Sequence, residues 1–479
     1  MTAIPAPAAQ NRPESDAADA TQRPATGSDA RQHWAVVGGG VLGMSLANEL
    51  AKRGVRVTLL EAATNLGGLA SPWTLHDADT GQTVSWDRHY HVTLLSDTRL
   101  RQLIEELGLG EDFRWVETKT GFYSGGRMHS MSSTWEFLTF PPLRLWEKFR
   151  LGATIFGASK IKNWRRLEKV AVTDWLRRWS GRGAFEKVWL PLLKAKLGDA
   201  HRRVSAAFIW AHISRMYAAR RTGHKKEMFG YTRGGYARLL ERFAEHLENR
   251  GVEVLTEAPV AEARSVPGGG VEVRLGGPSE EAAPMRFDHV AFTTPSSVIA
   301  RSVPELSEDE RHRHEGVEYL GIVCASLLLK KPISEYYVTN ITDGWVPLTA
   351  VIEMTTIVDP QELGGRHLVY LPKYLPPGDP TFHNSDDELR EEWLGALEKM
   401  HPGFSRDDVV AMRFSRVRSV MALPTIRYSE RLPSMDTGVP GVWAVNSAHI
   451  LKGNLNVNET IQIADEALAG PLAATLPTS

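Results

Sequence analysis

Apolar and polar positions along the chain alternate between two rhythms. An unbroken apolar run at 34–37, a helical pattern at 41–53 and a second apolar run at 55–60 predict strand, helix and strand, with Gly54 closing the helix. The same order returns in mid-chain: a glycine turn, an amphipathic helix over 236–249, and strands at 252–255 and 260–263. VEVRL then follows Gly268, Gly269 and Gly270, and a triple glycine between two alternating stretches predicts a hairpin turn. DHVAFTTPSS predicts a buried strand that ends at Pro295. A third return at 441–469 predicts a buried strand, a polar loop and a helix starting near Val457. Between these returns, 98–226 reads as helix-rich, with Trp and Leu at helical spacing that core packing explains. SEYYVTNITDGWVPLTAVIEMTTI and GRHLVYLPKY read as strands of a further sheet, with Tyr337, Glu353, Tyr370 and Lys373 as its polar members.

Composition narrows the class. At 479 residues, 42% apolar and 24% charged, the chain is long enough for two or more domains of ordinary globular character. No run of about 18 uncharged apolar residues predicts a membrane-spanning helix. Residues 1–31, rich in Ala, Pro, Ser, Thr and Asp and without an aromatic residue, predict a disordered tail, and their lack of a secretory pattern makes the cytoplasm the expected compartment. The single cysteine, Cys324, lies in the apolar run GIVCASLLL and predicts a buried inert thiol; one thiol excludes a redox-active disulfide and a cysteine-rich zinc site.

The formal net charge of −1 conceals a basic stretch at 144–226, with roughly four times as many Lys and Arg as Asp and Glu. Its counterpart is a phosphorylated substrate, an anionic membrane surface, or acidic segments elsewhere in the fold. A nucleic-acid partner is not expected.

Gly38, Gly40 and Gly43 give the spacing G-x-G-x-x-G between the first strand and the first helix. The first glycine permits a tight turn, the second lets backbone approach a pyrophosphate, and the third lets helix pack on strand. Val41 and Leu42, at the start of the helix, offer free N–H groups to that pyrophosphate. Glu61 ends the second strand, where its carboxylate can accept two ribose hydroxyls and would repel a 2′-phosphate. Gly67, Gly68 and Leu69 follow at a spacing suited to a second backbone approach to the diphosphate, which selects FAD over NAD.

The pattern E-x-x-x-x-x-G-G-L-A resembles the flavin-containing amine oxidase and protoporphyrinogen oxidase superfamily, to which phytoene-type desaturases and UDP-galactopyranose mutase also belong. Leu69 stands where amine oxidases usually carry Arg, which leans toward the protoporphyrinogen oxidase-like and mutase branches. The resemblance implies an α/β fold: a Rossmann-like FAD-binding domain of the glutathione reductase type 2 family, interleaved with an α+β substrate or cap domain. The FAD domain would comprise 32–97, 227–300 and 438–470, and the cap 98–226 and 301–437. It further implies that Val260 lies beside the adenine, and that Asn456 and Val457 open the last helix at the flavin, with Asn454 and Asn458 as neighbours that loop and capping roles equally explain. Asp87, His89 and His91 in SWDRHYHVTLL resemble the G-x-H-x-F-H stretch of the mutase. Their i, i+2 spacing would set both histidines on one side of a strand, facing flavin or substrate, or leave them as hydrogen-bonded structural residues. Lys196 is the candidate basic group near the ring. A metal would need ligands that the sequence does not supply.

The leading expectation is an FAD-dependent oxidoreductase that transfers a hydride from a small organic substrate, anionic or lipid-like, to flavin N5. Without a second dinucleotide fingerprint, oxygen, a quinone or another carrier would be the oxidant. The alternatives are a redox-neutral sugar-nucleotide mutase and a flavin-binding partner protein without catalysis. By resemblance, peripheral membrane contact belongs to the cap.

Overall fold

The structure, a computed structural model, describes residues 31–78, 81–220, 228–451 and 455–477. The tail expected at 1–31 lies, apart from Arg31, outside the described residues.

A five-stranded parallel sheet carries the amino-terminal glycine motif. Its strands run in the order Glu253–Leu255, Arg56–Leu60, His33–Val37, His289–Phe292, Val442–Ala444. Three separated stretches of chain therefore share one sheet, as the three returns of the sequence pattern predict. The first strand shows how both faces are buried. Trp34 and Val36 turn toward the helices Val41–Lys52, Gly235–Asn249 and Val457–Ala469, whereas Ala35 and Val37 turn toward a small antiparallel sheet. That small sheet is Val260–Ser265, Val271–Leu275 and Met285–Phe287. Its first two strands are joined through Gly268, Gly269 and Gly270, all with φ near +90°, so the triple glycine is a hairpin turn.

The second framework is a seven-stranded sheet in the order Val409–Ala422, Tyr319–Leu329, His367–Leu375, Ala350–Glu353, Val338–Ile341, Thr120–Ser124, Arg127–Ser130. Its last two strands come from the helix-rich insert, so both halves of the expected cap share one sheet. All eleven residues of Tyr319–Leu329 are buried, Cys324 among them, and burial raises the pKa of that thiol. A helical layer between 134 and 220 packs beside this sheet through Trp175, Phe185, Leu193 and Phe208. The run FEKVWLPLLKAKLGD is not one regular helix. A π-helical turn at Phe185–Trp189 precedes Leu190–Leu197, and Pro191, which has no N–H for the helical ladder, stands at that junction.

The carboxy-terminal helix also closes an earlier one. Asp97 occupies the N-cap of Thr98–Glu106, but its carboxylate accepts from Leu94 N and pairs with Arg215. Asn458 supplies the missing acceptor: its Oδ1 takes the N–H groups of Arg99 and Leu100 at 3.0 and 3.1 Å. Replacing it by Ala strands two buried amides, and Asn458→Ala should lose about 1–3 kcal/mol in denaturant unfolding. Asn458→Asp, which keeps the acceptor, should lose less.

Candidate functional site

Strand His33–Val37 leads into Gly38, whose φ of +109° is a glycine conformation. A Cβ there would stand 2.7 Å from the Thr293 hydroxyl, which donates to the carbonyls of Val37 and Gly38 at 3.0 Å each. Gly43 lies against the same turn, and a Cβ on it would fall 1.8 Å from the Gly38 carbonyl oxygen. Gly40 is different: a Cβ there meets nothing within 4 Å. No side chain caps the helix that Gly40 begins, its first turn carries no acidic residue, and Val41 and Leu42 are buried. A buried helix start needs an acceptor from outside, and the open space beside Gly40 gives a diphosphate the room to supply it.

The second glycine pair completes this cradle. Gly67 donates its N–H to the Gly39 carbonyl at 2.8 Å, and a Cβ on Gly68 would lie 3.3 Å from the Gly40 Cα. Glu61 accepts Gly39 N on Oε2 at 2.6 Å and Ala63 N on Oε1 at 2.7 Å; each oxygen keeps a second lone pair for a ribose hydroxyl. Ala258 N donates to the Glu61 carbonyl at 2.9 Å, which brings the chain just before Val260 alongside. These residues fit a dinucleotide. Asn456 caps the last helix by accepting Glu459 N at 3.1 Å, with Val457 as that helix's first residue; Asn454 lies outside the described residues.

His89 and His91 depart from expectation. The strand Gln82–Asp87 ends before them, so residues 88–92 turn away from the sheet and the i, i+2 rule for strands does not apply. His89 donates from Nδ1 to the Leu69 carbonyl at 3.1 Å, and burial lowers its pKa to about 4, so the ring is neutral. His91 packs on the Tyr236 ring, centroids 4.6 Å apart, with Nδ1 3.4 Å from the Asp87 carboxylate. One histidine braces the second glycine pair. The other belongs with helix Gly235–Asn249.

Tyr90, between them, reaches a polar cluster that the sequence pattern does not reveal. Its hydroxyl lies 3.1 Å from that of Tyr374, and the Lys196 ammonium sits 3.1 Å from the centroid of the Tyr374 ring. The Thr349 hydroxyl locks this arrangement by donating to the Ala195 carbonyl at 2.7 Å and accepting Tyr374 N at 3.2 Å. No carboxylate lies within ion-pair distance of Lys196 among the described residues. Burial lowers the Lys196 pKa to about 7 and raises that of Tyr90 to about 12. His212 is held down to about 4, by burial first and then by the positive charges of Arg215 and Lys196. Tyr90, Tyr374 and Lys196 are half-buried and His212 is exposed.

Strand alternation explains which residues of the seven-stranded sheet face this cluster. Tyr370 and Tyr374 share one side of His367–Leu375, and Tyr370 donates to the Asp87 carbonyl at 2.7 Å. Lys373 points to the other side, 3.5 Å from the Thr381 hydroxyl. Glu353 is a buried brace that accepts Ile333 N at 3.0 Å; burial raises its pKa to about 7.

The profile of the flavin containing amine oxidoreductases matches residues 43–443, and that of the pyridine nucleotide-disulphide oxidoreductases matches residues 3–74. Disulfide chemistry does not accompany the second match, because the lone thiol is buried. The chain is 28% identical over 300 residues to a carotenoid phi-ring synthase of Streptomyces griseus, covering 58% of this chain and 55% of that protein. It is 27% identical over 255 residues to a zeta-carotene desaturase of Synechocystis sp., covering 48% and 50%. The chain thus spans about half the length of the curated relatives it matches. A triple mutant of putrescine oxidase superposes with a TM-score of 0.70 at 18% identity, covering 93% of this chain and 99% of that one. Reduced UDP-galactopyranose mutase does so at 0.69 and 12%, covering 91% and 96%. At these identities the likeness is one of fold. FAD is the cofactor that the cradle takes.

The two inner glycines separate cofactor binding from folding. Gly40→Ala should leave the thermal unfolding of apoprotein unchanged and weaken FAD binding at least about tenfold, because its methyl enters space that only the ligand needs. Gly43→Ala should lower both, since its methyl meets the Gly38 carbonyl. Titration of apoprotein with FAD beside a melting curve reads both quantities.

Proposed function

The chain belongs to the flavin containing amine oxidoreductase family, and on that premise we propose that it removes a hydride and a proton from a small organic substrate held against Lys196, Tyr374, Tyr90 and His212. FAD supplies the hydride acceptor at N5, and oxygen, a quinone or another carrier serves as final oxidant. The residues of this chain do the holding and the proton transfer. Backbone amides from Gly38 to Gly43 face the diphosphate, with Gly67, Gly68 and Leu69 as the second approach. Glu61 takes the ribose hydroxyls, Val260 borders the adenine, and the helix start at Asn456 and Val457 points to the flavin. His89 acts as a positioning residue through Leu69.

The observation that carries the reading is the desolvated ammonium of Lys196 over the Tyr374 ring, without a carboxylate partner. A lysine with a pKa of about 7 is part neutral amine at physiological pH and can accept the proton that leaves as the substrate gains its double bond. The π face of Tyr374 then stabilises the cation. The Tyr90 and Tyr374 hydroxyls, bonded to each other, stay protonated and orient a polar group of the substrate.

Anaerobic bleaching of the bound flavin by a panel of amines and polyenes tests this. The rate should rise with pH through about 7, because Lys196 must be unprotonated to act. Lys196→Met should keep the flavin spectrum, remove that inflection and slow bleaching by about 10²–10⁴-fold. NADPH should give no rapid saturable reduction. Turnover that appears only after dithionite treatment, with no oxidant consumed, would overturn the oxidoreductase reading.

A further inference from the structure

A short antiparallel hairpin, Pro72–Asp77 and Gln82–Asp87, packs on one face of the seven-stranded sheet. Strand register defines that face. Ser326 and Ile322 stand opposite Tyr370 and Tyr374 on one neighbouring strand, and opposite Arg413 and Val417 on the other. Directly opposed residues point to the same side of a sheet, so Arg413 shares its face with the two tyrosines. Ser326 and Ile322 are four residues apart, which sets Arg413 about 13 Å along the strands from the position of Tyr374. Arg413 is thus separate from the Lys196 cluster.

Trp73 and Trp86 are paired across the hairpin, yet their indole N–H groups fare differently. Trp86 Nε1 donates to the Ser326 hydroxyl at 2.9 Å, whereas Trp73 Nε1 is buried and has no acceptor. Two guanidiniums share that same indole. Arg88 lies 4.5 Å from the centroid of the Trp73 ring and Arg413 5.5 Å, with Arg413 also 5.7 Å from that of Trp86. Arg88 donates from Nε to the Pro72 carbonyl at 3.3 Å. Among the described residues Arg413 has no hydrogen-bond acceptor, and neither guanidinium has a carboxylate within ion-pair distance. Asp87, the neighbour of Arg88, is turned away: it accepts Tyr236 N at 3.0 Å and faces His91.

A ring face attracts a cation, but two cations on one indole repel each other, and the half-burial of both arginines weakens the screening that water would provide. A buried donor without an acceptor adds to the cost. A compact oxyanion answers both deficits, because it accepts forked N–H groups from two guanidiniums and leaves a lone pair for the indole N–H. We propose that Arg88, Arg413 and Trp73 form an anion subsite that takes the carboxylate or phosphate monoester of an organic ligand. The two tryptophan rings flank the anion and give the organic part a surface to lie on.

Full-length flavin-loaded protein is titrated calorimetrically at low salt with benzoate, phenyl phosphate, inorganic phosphate and, as the neutral counterpart, benzyl alcohol. Benzoate and phenyl phosphate should bind, the alcohol should not, and affinity should fall as salt is added. Arg88→Gln and Arg413→Gln should each keep the flavin spectrum and lose at least about tenfold in affinity for both acids. Arg413→Lys, which keeps the charge without the fork, should fall between. Lys196→Met should leave acid binding intact, so this subsite and the base assigned to Lys196 stand or fall separately. Acids that bind no better than the alcohol, or that still bind both Gln variants, would overturn the proposal. So would inorganic phosphate binding as tightly as phenyl phosphate, which would mark a free-ion site. Loss of FAD from the arginine variants would assign the pair to the cofactor, and loss of acid binding in Lys196→Met would move the anion to that ammonium; either result also overturns it.

Discussion

Backbone lying directly on backbone is the constraint from which the site follows. At Gly43 the helix touches the Gly38 carbonyl, and at Gly67 and Gly68 a second turn closes on Gly39 and Gly40. A side chain at Gly43 would push the helix start away from the strand end and dissolve the group of inward-facing amides. The remaining elements keep those contacts in place: Thr293 ties the turn from the neighbouring strand, Glu61 ties Gly39 to the second strand, and the chain at 257–258 is stitched to residues 61 and 63. One glycine, Gly40, is held for the ligand alone.

The seven-stranded sheet and the helix Leu190–Leu197 meet a different constraint, a desolvated cation without a counter-ion. Lys196 is fixed by a ring face on one side and by Thr349 through Ala195 on the other. An unfolded chain would hold its proton up to about pH 10. Folding therefore works against the charged form, and the stability lost to this residue is largest below pH 7 and fades as pH rises. Reactive centres commonly hold groups under such tension.

How much of this the sequence discloses depends on whether the information is local. The strand, glycine turn, helix and strand from His33 to Leu60 are legible because each step depends on neighbours a few residues away, and the expected boundaries differ from the structure by about one residue. The same holds for the hairpin at Gly268 to Gly270. Tyr90, Tyr374, Thr349 and His212 are not legible, since they meet only through a sheet that joins segments hundreds of residues apart. Lys373 was visible beside Tyr374, yet the alternation of the strand turns it away. The local pattern around His89 and His91 suggests a continuing strand, because nothing in it marks the ending at Asp87. Asn458 was legible as a capping type, but the helix it caps lies 358 residues earlier, and only the fold reveals it.

The order of strands in the parallel sheet has a consequence for synthesis. His33–Val37 sits at the centre, yet one of its two partners, His289–Phe292, leaves the ribosome some 250 residues later. Until then the nascent chain carries a naked apolar strand edge, which other chains can pair with. The parallel sheet is thus completed only after the second half of the chain has emerged, and mispairing at that edge competes with folding until then.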